Sequence, residues 1–465
     1  MILPVLVVLL VLVFWFVILQ HWQRGVVMLL VYLPFAGAVT LSLYPESYPV
    51  LFKDFFFVVP AYLAFWLARR EMSPAAKVPP TVRVAMLTLA TLVLLQSFNP
   101  NLENMMVAAI GSKVWLFYLP LLFLAFELIQ SNEDLVRLLR LMVVITWLPC
   151  TVGILEWLAS MTFGFQETMY AIYGEAAEGA TQHFVIFDIG GQFFRIPSTF
   201  TFVSQYFGYT LAMLVPAFAL SKLDDSMFWR RFASATLWLA VLAAFMSGAR
   251  AAFLFVPLLL SLTYWLEGWF KGIPKVAFIL TPIFFLSLYI AGIDPTKLFD
   301  MVRELFLTYS DSIAREGLLD ALEIAPFGTG TGMNTGPARY ALDNSESFIG
   351  IENYYAKAVI ELGVVGLLVV VVLFFLLAKH GYKIHSQLRD KRLRSAASVI
   401  LAFIVTMELS GFKGWQIDLD PINVYFWMFA GILLKLKYLD RPSQMPAEIA
   451  HAAPSRPLHA IPRAG

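Results

Sequence analysis

A chain of 465 residues with 60% hydrophobic and only 14% charged residues has too much apolar surface for soluble domains, which carry about 25% charged residues. The net charge of +1 argues against a nucleic-acid-binding protein, whose footprint is a basic face. Cys150 is the only cysteine, which excludes an intramolecular disulfide and a cysteine-based metal site. The composition therefore indicates a helical membrane domain.

Apolar stretches long enough to cross a bilayer recur along the chain. A transmembrane helix needs roughly 20 apolar residues, because the hydrocarbon core is about 30 Å thick. The sequence predicts an all-α integral membrane protein with one polytopic domain over 1–437 and twelve or thirteen transmembrane helices. The spans are expected at 2–20, 25–43, 55–68, 82–97, 112–130, 138–160, 200–221, 233–247, 251–268, 275–293, 353–378, 396–412 and 421–437. The proline-rich stretch 438–465 is expected to be a disordered cytoplasmic tail.

Lysine and arginine residues concentrate in four short loops, at 69–83, 222–231, 271–275 and 379–394. Counting spans places all four loops on one side of the membrane, which the positive-inside rule assigns to the cytoplasm. The prediction is a multi-pass protein with a cytoplasmic C-terminus. Two long loops, 161–198 and 291–351, then face outward, and loops of that length are usually functional or disordered.

Two arginines stand out because each is isolated at the outer end of a predicted span. Arg195 lies in Phe-Phe-Arg-Ile-Pro-Ser-Thr. It is either an interfacial arginine with its head in water or one arm of an anion clamp, since guanidinium binds phosphate oxygens bidentately. Arg250 lies in the turn Ser-Gly-Ala-Arg-Ala-Ala between two apolar runs. A charge at the hydrocarbon edge is costly and usually has a partner or a task, so the sequence favours a functional role for Arg250.

A third arginine, Arg315, lies at the start of a predicted amphipathic helix with apolar residues at 318, 319 and 322. The stretch Pro-Phe-Gly-Thr-Gly-Thr-Gly follows at 326–332. It is not a nucleotide-binding loop, because no Lys-Ser or Lys-Thr follows the glycines. Two interpretations stay open for it: a flexible hinge, or a backbone that closely approaches a sugar or phosphate.

Two acids open the predicted span at 353–378. Glu352 lies at its outer mouth, where a carboxylate either complements the helix dipole or serves as a general base. Glu361 lies roughly 12 Å deeper at 1.5 Å per residue and shares a helix face with Tyr354 rather than with Glu352. We therefore expect Glu361 to order the bundle through a buried hydrogen bond or ion pair.

Metal binding is not predicted. His183 is the only histidine in the two outer loops, and the spacing of Asp343, Glu346 and Glu352 matches no metal-binding loop. We expect neither a metal nor a cofactor.

The order of these features resembles the bacterial O-antigen ligase and polysaccharide polymerase superfamily of membrane glycosyltransferases. Three patterns between 195 and 377 carry the resemblance. They are the Arg195 segment entering a span, the Ser-Gly-Ala-Arg-Ala-Ala turn, and Arg315 followed by Pro-Phe-Gly-Thr-Gly, Asn-Tyr-Tyr and Glu-Leu-Gly-Val-Val-Gly-Leu. The first half of the chain matches only as generic membrane helices.

The resemblance implies a glycosyltransferase-C-like fold in the bacterial cytoplasmic (inner) membrane, with an outward-facing site that needs no metal. The implied partners are a polyprenyl-diphosphate-linked glycan donor, a glycan acceptor and the lipid bilayer, with a chain-length regulator or export machinery. The resemblance assigns the donor diphosphate to Arg250, Arg315 and, more weakly, Arg195, catalysis to Glu352, and supporting roles to Asn353, Tyr354 and Glu361.

One departure from the family bears on the activity. Ligases of this superfamily usually carry His-Asn where this chain has Glu352-Asn353. The difference favours a polymerase that joins lipid-linked oligosaccharide repeat units. The alternatives are an O-antigen-type ligase that transfers a glycan to an acceptor lipid or protein, and a polysaccharide or lipid transporter or flippase. A transporter predicts buried charges and broken helices in symmetric halves, whereas few charges, such as Glu361 and Glu408, fall within predicted spans.

Overall fold

The computed structural model describes most of the chain, and most of the described part is helical. The described residues are 2–44, 46, 48–68, 77–102, 104–176, 187–188, 192–268, 281–282, 289, 303, 307, 317–341 and 350–440. Three earlier expectations therefore lie wholly or largely outside the description: the span at 275–293, the tail at 438–465, and the placement of Arg315.

The described residues between 2 and 176 form nine helices, with tight turns at Leu33–Phe35 and Tyr48–Leu51 and a π-helical turn at Asp54–Val58. The helices are α1 (Ile2–Gln20), α2 (Trp22–Tyr32), α3 (Ala36–Ser42), α4 (Val59–Ala68), α5 (Pro80–Gln96), α6 (Met105–Leu116), α7 (Leu121–Leu128), α8 (Asn132–Phe163) and α9 (Phe165–Tyr173).

A short antiparallel pair, β1 (Phe187–Asp188) and β2 (Gln192–Phe193), precedes the second group of helices. The described helices of this group are α10 (Val203–Leu223), α11 (Met227–Met246), α12 (Ala252–Leu266), α13 (Leu318–Ile324), α14 (Tyr354–Gln387), α15 (Lys391–Ser410) and α16 (Ile422–Leu439). The predicted amphipathic helix that begins near Arg315 is confirmed over the residues of α13.

Eight continuous helical segments in the described part are long and apolar enough to cross a membrane, and three shorter apolar helices accompany them. Of the thirteen predicted spans, twelve coincide with described helices. The prediction of an all-α, multi-pass membrane protein is therefore confirmed. The glycosyltransferase-C-like arrangement, the type of membrane and the orientation stay predictions.

The helix ends differ from the predicted span ends because capping groups, not hydropathy, set them. The 32-residue helix α8 begins at Asn132, several residues before the predicted span, because Ser131 and Asp134 form a reciprocal capping box. Likewise, α6 begins at Met105, where the Asn104 side chain accepts hydrogen bonds from two free amides of the first turn. Polar flanks thus extend these helices beyond their apolar centres.

The loops meet at two opposite ends of the bundle. At one end, Arg140 Nε lies 2.6 Å from Asp224 Oδ2, and the Tyr438 hydroxyl donates to Lys77 O at 3.0 Å. We call this the basic end, because the described parts of three predicted basic loops, 77–83, 222–231 and 379–394, lie there. The other end, called the site end, contains the segment 194–202, the turn 247–251 and the beginning of α14. The positive-inside rule predicts that the basic end faces the cytoplasm.

The helix α10 forms the centre of the bundle. Nearly all of its residues are buried, and it packs between α8, α11 and α15. Because α10 begins at Val203, the preceding segment 194–202 rests on the end of this central helix. The fold therefore supports the Arg195 segment on its most buried element.

Candidate functional site

The segment 194–202 and the turn 247–251 bring Arg195 and Arg250 together at the site end. Ile196 N donates to Ser247 O at 2.9 Å. Gly248 has φ +73°, and a Cβ at this glycine would lie only 2.1 Å from Phe194 O. Only glycine fits both this backbone conformation and this close approach, so the turn fixes the two arginines next to each other.

The electrostatic surroundings of Arg195 link it to a second predicted residue, Glu352. Burial lowers the pKa of the Arg195 guanidinium, the positive charge of Arg250 lowers it further, and the carboxylate of Glu352 raises it. Three residues that the sequence singled out in separate segments therefore share one electrostatic environment. Arg195 is half-buried, and no group among the described residues accepts a hydrogen bond from its buried Nε.

This arrangement is suited to binding an anion. Two adjacent guanidinium groups repel each other, and an anion between them relieves that repulsion while accepting charge-assisted hydrogen bonds. A buried donor without a partner is costly, so a ligand oxygen at Arg195 Nε would recover that cost. Of the predicted diphosphate-binding residues, Arg195 and Arg250 come together, whereas Arg315 lies outside the described residues.

Glu352 lies directly before the first turn of α14, and Asn353 is the residue that caps this helix. The Asn353 side chain accepts hydrogen bonds from the amides of residues 355 and 356, and its Nδ2 donates to Phe412 O at 3.0 Å. Because Asn353 fills the cap position, capping does not explain Glu352, which is exposed. The buried ring of Tyr354 packs against Trp115, with 5.3 Å between the ring centroids, and this contact is structural.

Glu361 orders the glycine-rich loop, in agreement with the predicted buried hydrogen bonds. Its Oε2 accepts from Trp115 Nε1 at 2.7 Å and from Gly332 N at 2.9 Å. Its Oε1 accepts from Asn334 N at 3.0 Å and from Thr335 Oγ1 at 2.9 Å. Glu361 is fully buried, so four donors compensate the burial of one carboxylate.

The glycines of this loop permit close packing against neighbouring helices. A Cβ at Gly332 would lie 2.2 Å from Val107 O of α6, and a Cβ at Gly328 would lie 2.8 Å from Gly363 N of α14. These contacts are made to the protein itself. The positive φ values of Gly328, Gly330 and Gly332 thus serve a packed loop, and the flexible-hinge interpretation does not describe it.

The same loop inserts into a break in α14. Gly363 has φ +76° inside this helix, a non-helical conformation that kinks it. At the kink, Val364 N donates to Pro326 O at 3.0 Å, and Ile360 O accepts from Thr329 N and Thr329 Oγ1. The loop therefore supplies hydrogen-bond partners to the helix backbone on both sides of Gly363.

The membrane helices and the segments next to them contain more charges than the predicted Glu361 and Glu408. Lys113 Nζ lies 2.6 Å from Asp54 Oδ2, and the buried Lys53 Nζ lies 2.7 Å from Asp420 Oδ2. Farther along the chain, the fully buried Lys357 pairs with Asp418. These pairs join residues far apart in sequence, so hydropathy of single segments does not reveal them. All three pairs lie in the half of the bundle near the site end.

A buried acid that the sequence analysis missed holds the Arg195 segment. Glu156 of α8 is buried, and its Oε2 accepts from Ser198 N at 2.8 Å. Its Oε1 contacts the hydroxyl of Tyr173 at 2.5 Å. The signal available in the sequence was one acidic residue inside the apolar run at 138–160.

Within the described part of the chain, no group of three or more His, Cys, Asp or Glu side chains is placed to hold a metal ion. The expectation of metal-independent chemistry stays a prediction. Comparison of the sequence with models of known families and with curated proteins gives no match. The superfamily suggested by the local patterns therefore also stays a prediction.

Proposed function

We propose that the chain is a membrane glycosyltransferase of the polymerase type, which joins polyprenyl-diphosphate-linked oligosaccharide repeat units at the extracytoplasmic face of the cytoplasmic membrane. The observation that carries the proposal is the convergence of Arg195, Arg250 and Glu352 at one end of the bundle. Two arginines can bind a diphosphate, and a nearby exposed carboxylate can accept a proton.

The proposed reaction assigns one task to each charge. An acceptor hydroxyl oxygen forms a bond to the anomeric carbon of the donor, and its proton moves to Glu352. The bond from that carbon to the phosphate oxygen breaks, and polyprenyl diphosphate leaves with the electron pair. Arg195 and Arg250 stabilise the charge that develops on the leaving group. Removing one donor of this kind from a catalytic site costs roughly 10²–10³ in rate.

A transporter or flippase is the second candidate, because Lys53, Asp54 and Lys357 are charged groups buried within helices, and the partly exposed Lys113 pairs with Asp54. Such residues often mark an ion or substrate pathway. Here, however, Lys53, Lys113 and Lys357 are each paired with an aspartate. This pairing supports a structural role for the lysines and favours the enzyme.

Complementation tests the proposal in a bacterial strain that lacks this protein. Wild type is compared with Arg195→Ala, Arg250→Ala and Glu352→Gln, with the amount of each protein in the membrane measured by immunoblot. The matched control is Arg137→Ala, because the Arg137 side chain is 79% exposed and lies near the basic end. Polymer length and lipid-linked intermediates are the two readouts.

The polymerase predicts short or absent polymer and accumulation of single lipid-linked repeats in the three site variants, with the control like wild type. Full-length polymer that remains on its lipid carrier would identify a ligase instead. Loss of both polymer and outward-exposed intermediates would favour a flippase. Site variants that all behave like wild type would refute the assignment of the site.

A further inference from the structure

The segment that carries Arg195 is held in an unfavourable conformation. Ser198 is fully buried with φ +53°, the one positive φ at a non-glycine residue in the described chain. This left-handed region is sterically unfavourable for serine and persists where the surroundings over-determine it. Such conformations cluster at ligand-binding and catalytic sites, so the contacts that maintain this one bear on function.

All three polar groups of Ser198 are bound by residues that precede it in the chain. Its amide donates to Glu156 Oε2 at 2.8 Å, and its Oγ donates to Pro149 O at 2.7 Å. The Tyr173 hydroxyl lies 2.5 Å from both Ser198 O and Glu156 Oε1. Glu156 thus binds the amide of Ser198, and Tyr173 binds its carbonyl.

The hydrogen bonds to Ser198 restrain Arg195 as well, because the backbone between the two residues is short and fixed. Ile196 N donates to Ser247 O at 2.9 Å, and Ala38 N donates to Thr199 O at 2.8 Å. The backbone is therefore fixed on both sides of Ser198, only a few residues from Arg195. Among the described residues, Arg250 and Glu352 are the charges that act on the Arg195 guanidinium, whereas Glu156 accepts a hydrogen bond from the Ser198 backbone.

We propose that Glu156 is a positioning residue, which with Tyr173 sets the place of the Arg195 guanidinium in the diphosphate site by way of Ser198. This inference rests on the proposed function for the identity of the anion. It assigns a role to a buried acid in α8, a helix that no local family pattern includes. The mechanism is pre-organisation, since the donor is held in place before the ligand arrives.

The hydrogen-bond geometry distinguishes two substitutions of this acid. In Glu156→Gln, the amide oxygen still accepts from Ser198 N, and the amide nitrogen donates to the Tyr173 oxygen while that hydroxyl donates to Ser198 O. In Glu156→Ala, both contacts are lost. A positioning role therefore predicts that Gln retains the function and Ala does not.

The test measures binding of farnesyl diphosphate to the full-length protein in detergent by isothermal titration. We expect Arg195→Ala to weaken binding about tenfold or more and Glu156→Ala about three- to tenfold, with Glu156→Gln within about twofold of wild type. The double variant Arg195→Ala with Glu156→Ala should bind no more weakly than Arg195→Ala alone. That lack of additivity is the sign of coupling through Arg195, which general destabilisation would not produce.

Each outcome separates the two proposals. If wild type does not bind the probe, or Arg195→Ala binds as wild type does, the diphosphate site is refuted and the inference with it. If Arg195→Ala weakens binding but Glu156→Ala does not, or if the two effects add, only the inference is refuted. Should Glu156→Ala not fold, Tyr173→Phe takes its place, because it removes one hydroxyl and must show the same lack of additivity.

Discussion

Replacement of Glu361 by glutamine tests whether this carboxylate anchors the glycine-rich loop. The glutamine oxygen would take the position of Oε2, because Trp115 Nε1 and Gly332 N can only donate hydrogen bonds. The amide nitrogen would take the position of Oε1, where the Thr335 hydroxyl can accept a hydrogen bond from it. Asn334 N, now 3.0 Å from Oε1, would then face another donor. One buried amide would lose its acceptor, and three hydrogen bonds would lose the charge of the carboxylate.

The cost follows from these losses. A stranded buried donor costs about 1–3 kcal/mol, and each of the three remaining bonds weakens by roughly 1 kcal/mol when a neutral amide replaces the carboxylate. A glutamine avoids the burial of a charge, which offsets a few kcal/mol. We expect a net destabilisation of about 2–4 kcal/mol. Glu361→Ala should destabilise more strongly, because all four donors lose their acceptor.

The assay is thermal unfolding of the purified protein in detergent, with Glu408→Gln as the matched control. Glu408 is another acid within a helix, but its buried Oε1 accepts no hydrogen bond from any described residue. Because Glu408→Gln breaks no described hydrogen bond to Oε1, it should not lower the midpoint below that of wild type, while Glu361→Gln lowers it by several degrees. Equal midpoints for the two variants would refute the anchoring role of Glu361.

Three further predictions concern the framework around the site. Gly363→Ala should lower the unfolding midpoint more than Gly268→Ala. Both glycines have a similar positive φ, but among the described atoms only a Cβ at Gly363 meets a neighbour, at 2.8 Å. Equal midpoints for the two variants would show that close packing at Gly363 does not contribute to stability. Asn353→Ala should cost about 1–3 kcal/mol by loss of the cap and of the hydrogen bond to Phe412 O. Asn353→Asp should recover only the cap, because its carboxylate cannot donate to Phe412 O, and thermal unfolding of both variants will show the difference. Hydrogen bonding from Arg140 lowers the pKa of Asp224, so this carboxylate stabilises the fold above its unfolded-state pKa and the benefit is lost as pH falls through the lower folded-state value. The midpoint difference between wild type and Asp224→Asn should therefore be larger at pH 7 than in strong acid, and a difference independent of pH would refute the pairing.

The membrane architecture could be predicted from the sequence because long apolar runs have few alternative interpretations. The length of an apolar run approximates the length of the helix that crosses the membrane, so the predicted spans and the described helices coincide. The ends could not be placed as well, since residues such as Asn104 and Ser131 cap helices through hydrogen bonds that hydropathy does not report. The break at Gly363 was also missed, because the loop that completes it comes from another part of the chain.

The candidate site was predictable as a set of residues but not as an arrangement. Isolation of a charge among apolar or small neighbours indicated Arg195 and Arg250 without any knowledge of the fold. Their proximity depends on the backbone hydrogen bond from Ile196 to Ser247 and on the close approach at Gly248, which only the structure shows. The only sign of Glu156 in the sequence was an acid within an apolar run. How deeply this acid is buried, and which amide donates to it, cannot be predicted from the sequence.

The break in α14 has a consequence for how the protein is assembled. A transmembrane helix normally satisfies its backbone by itself, and an unpaired amide or carbonyl in lipid costs several kcal/mol. Here Val364 N donates to Pro326 O, and Ile360 O accepts from Thr329, so the loop at 326–329 supplies partners to both groups. Insertion of α14 and docking of that loop must therefore be coupled. Amide hydrogen exchange at 360–364 should consequently report the opening of the loop, so these two segments form one cooperative unit.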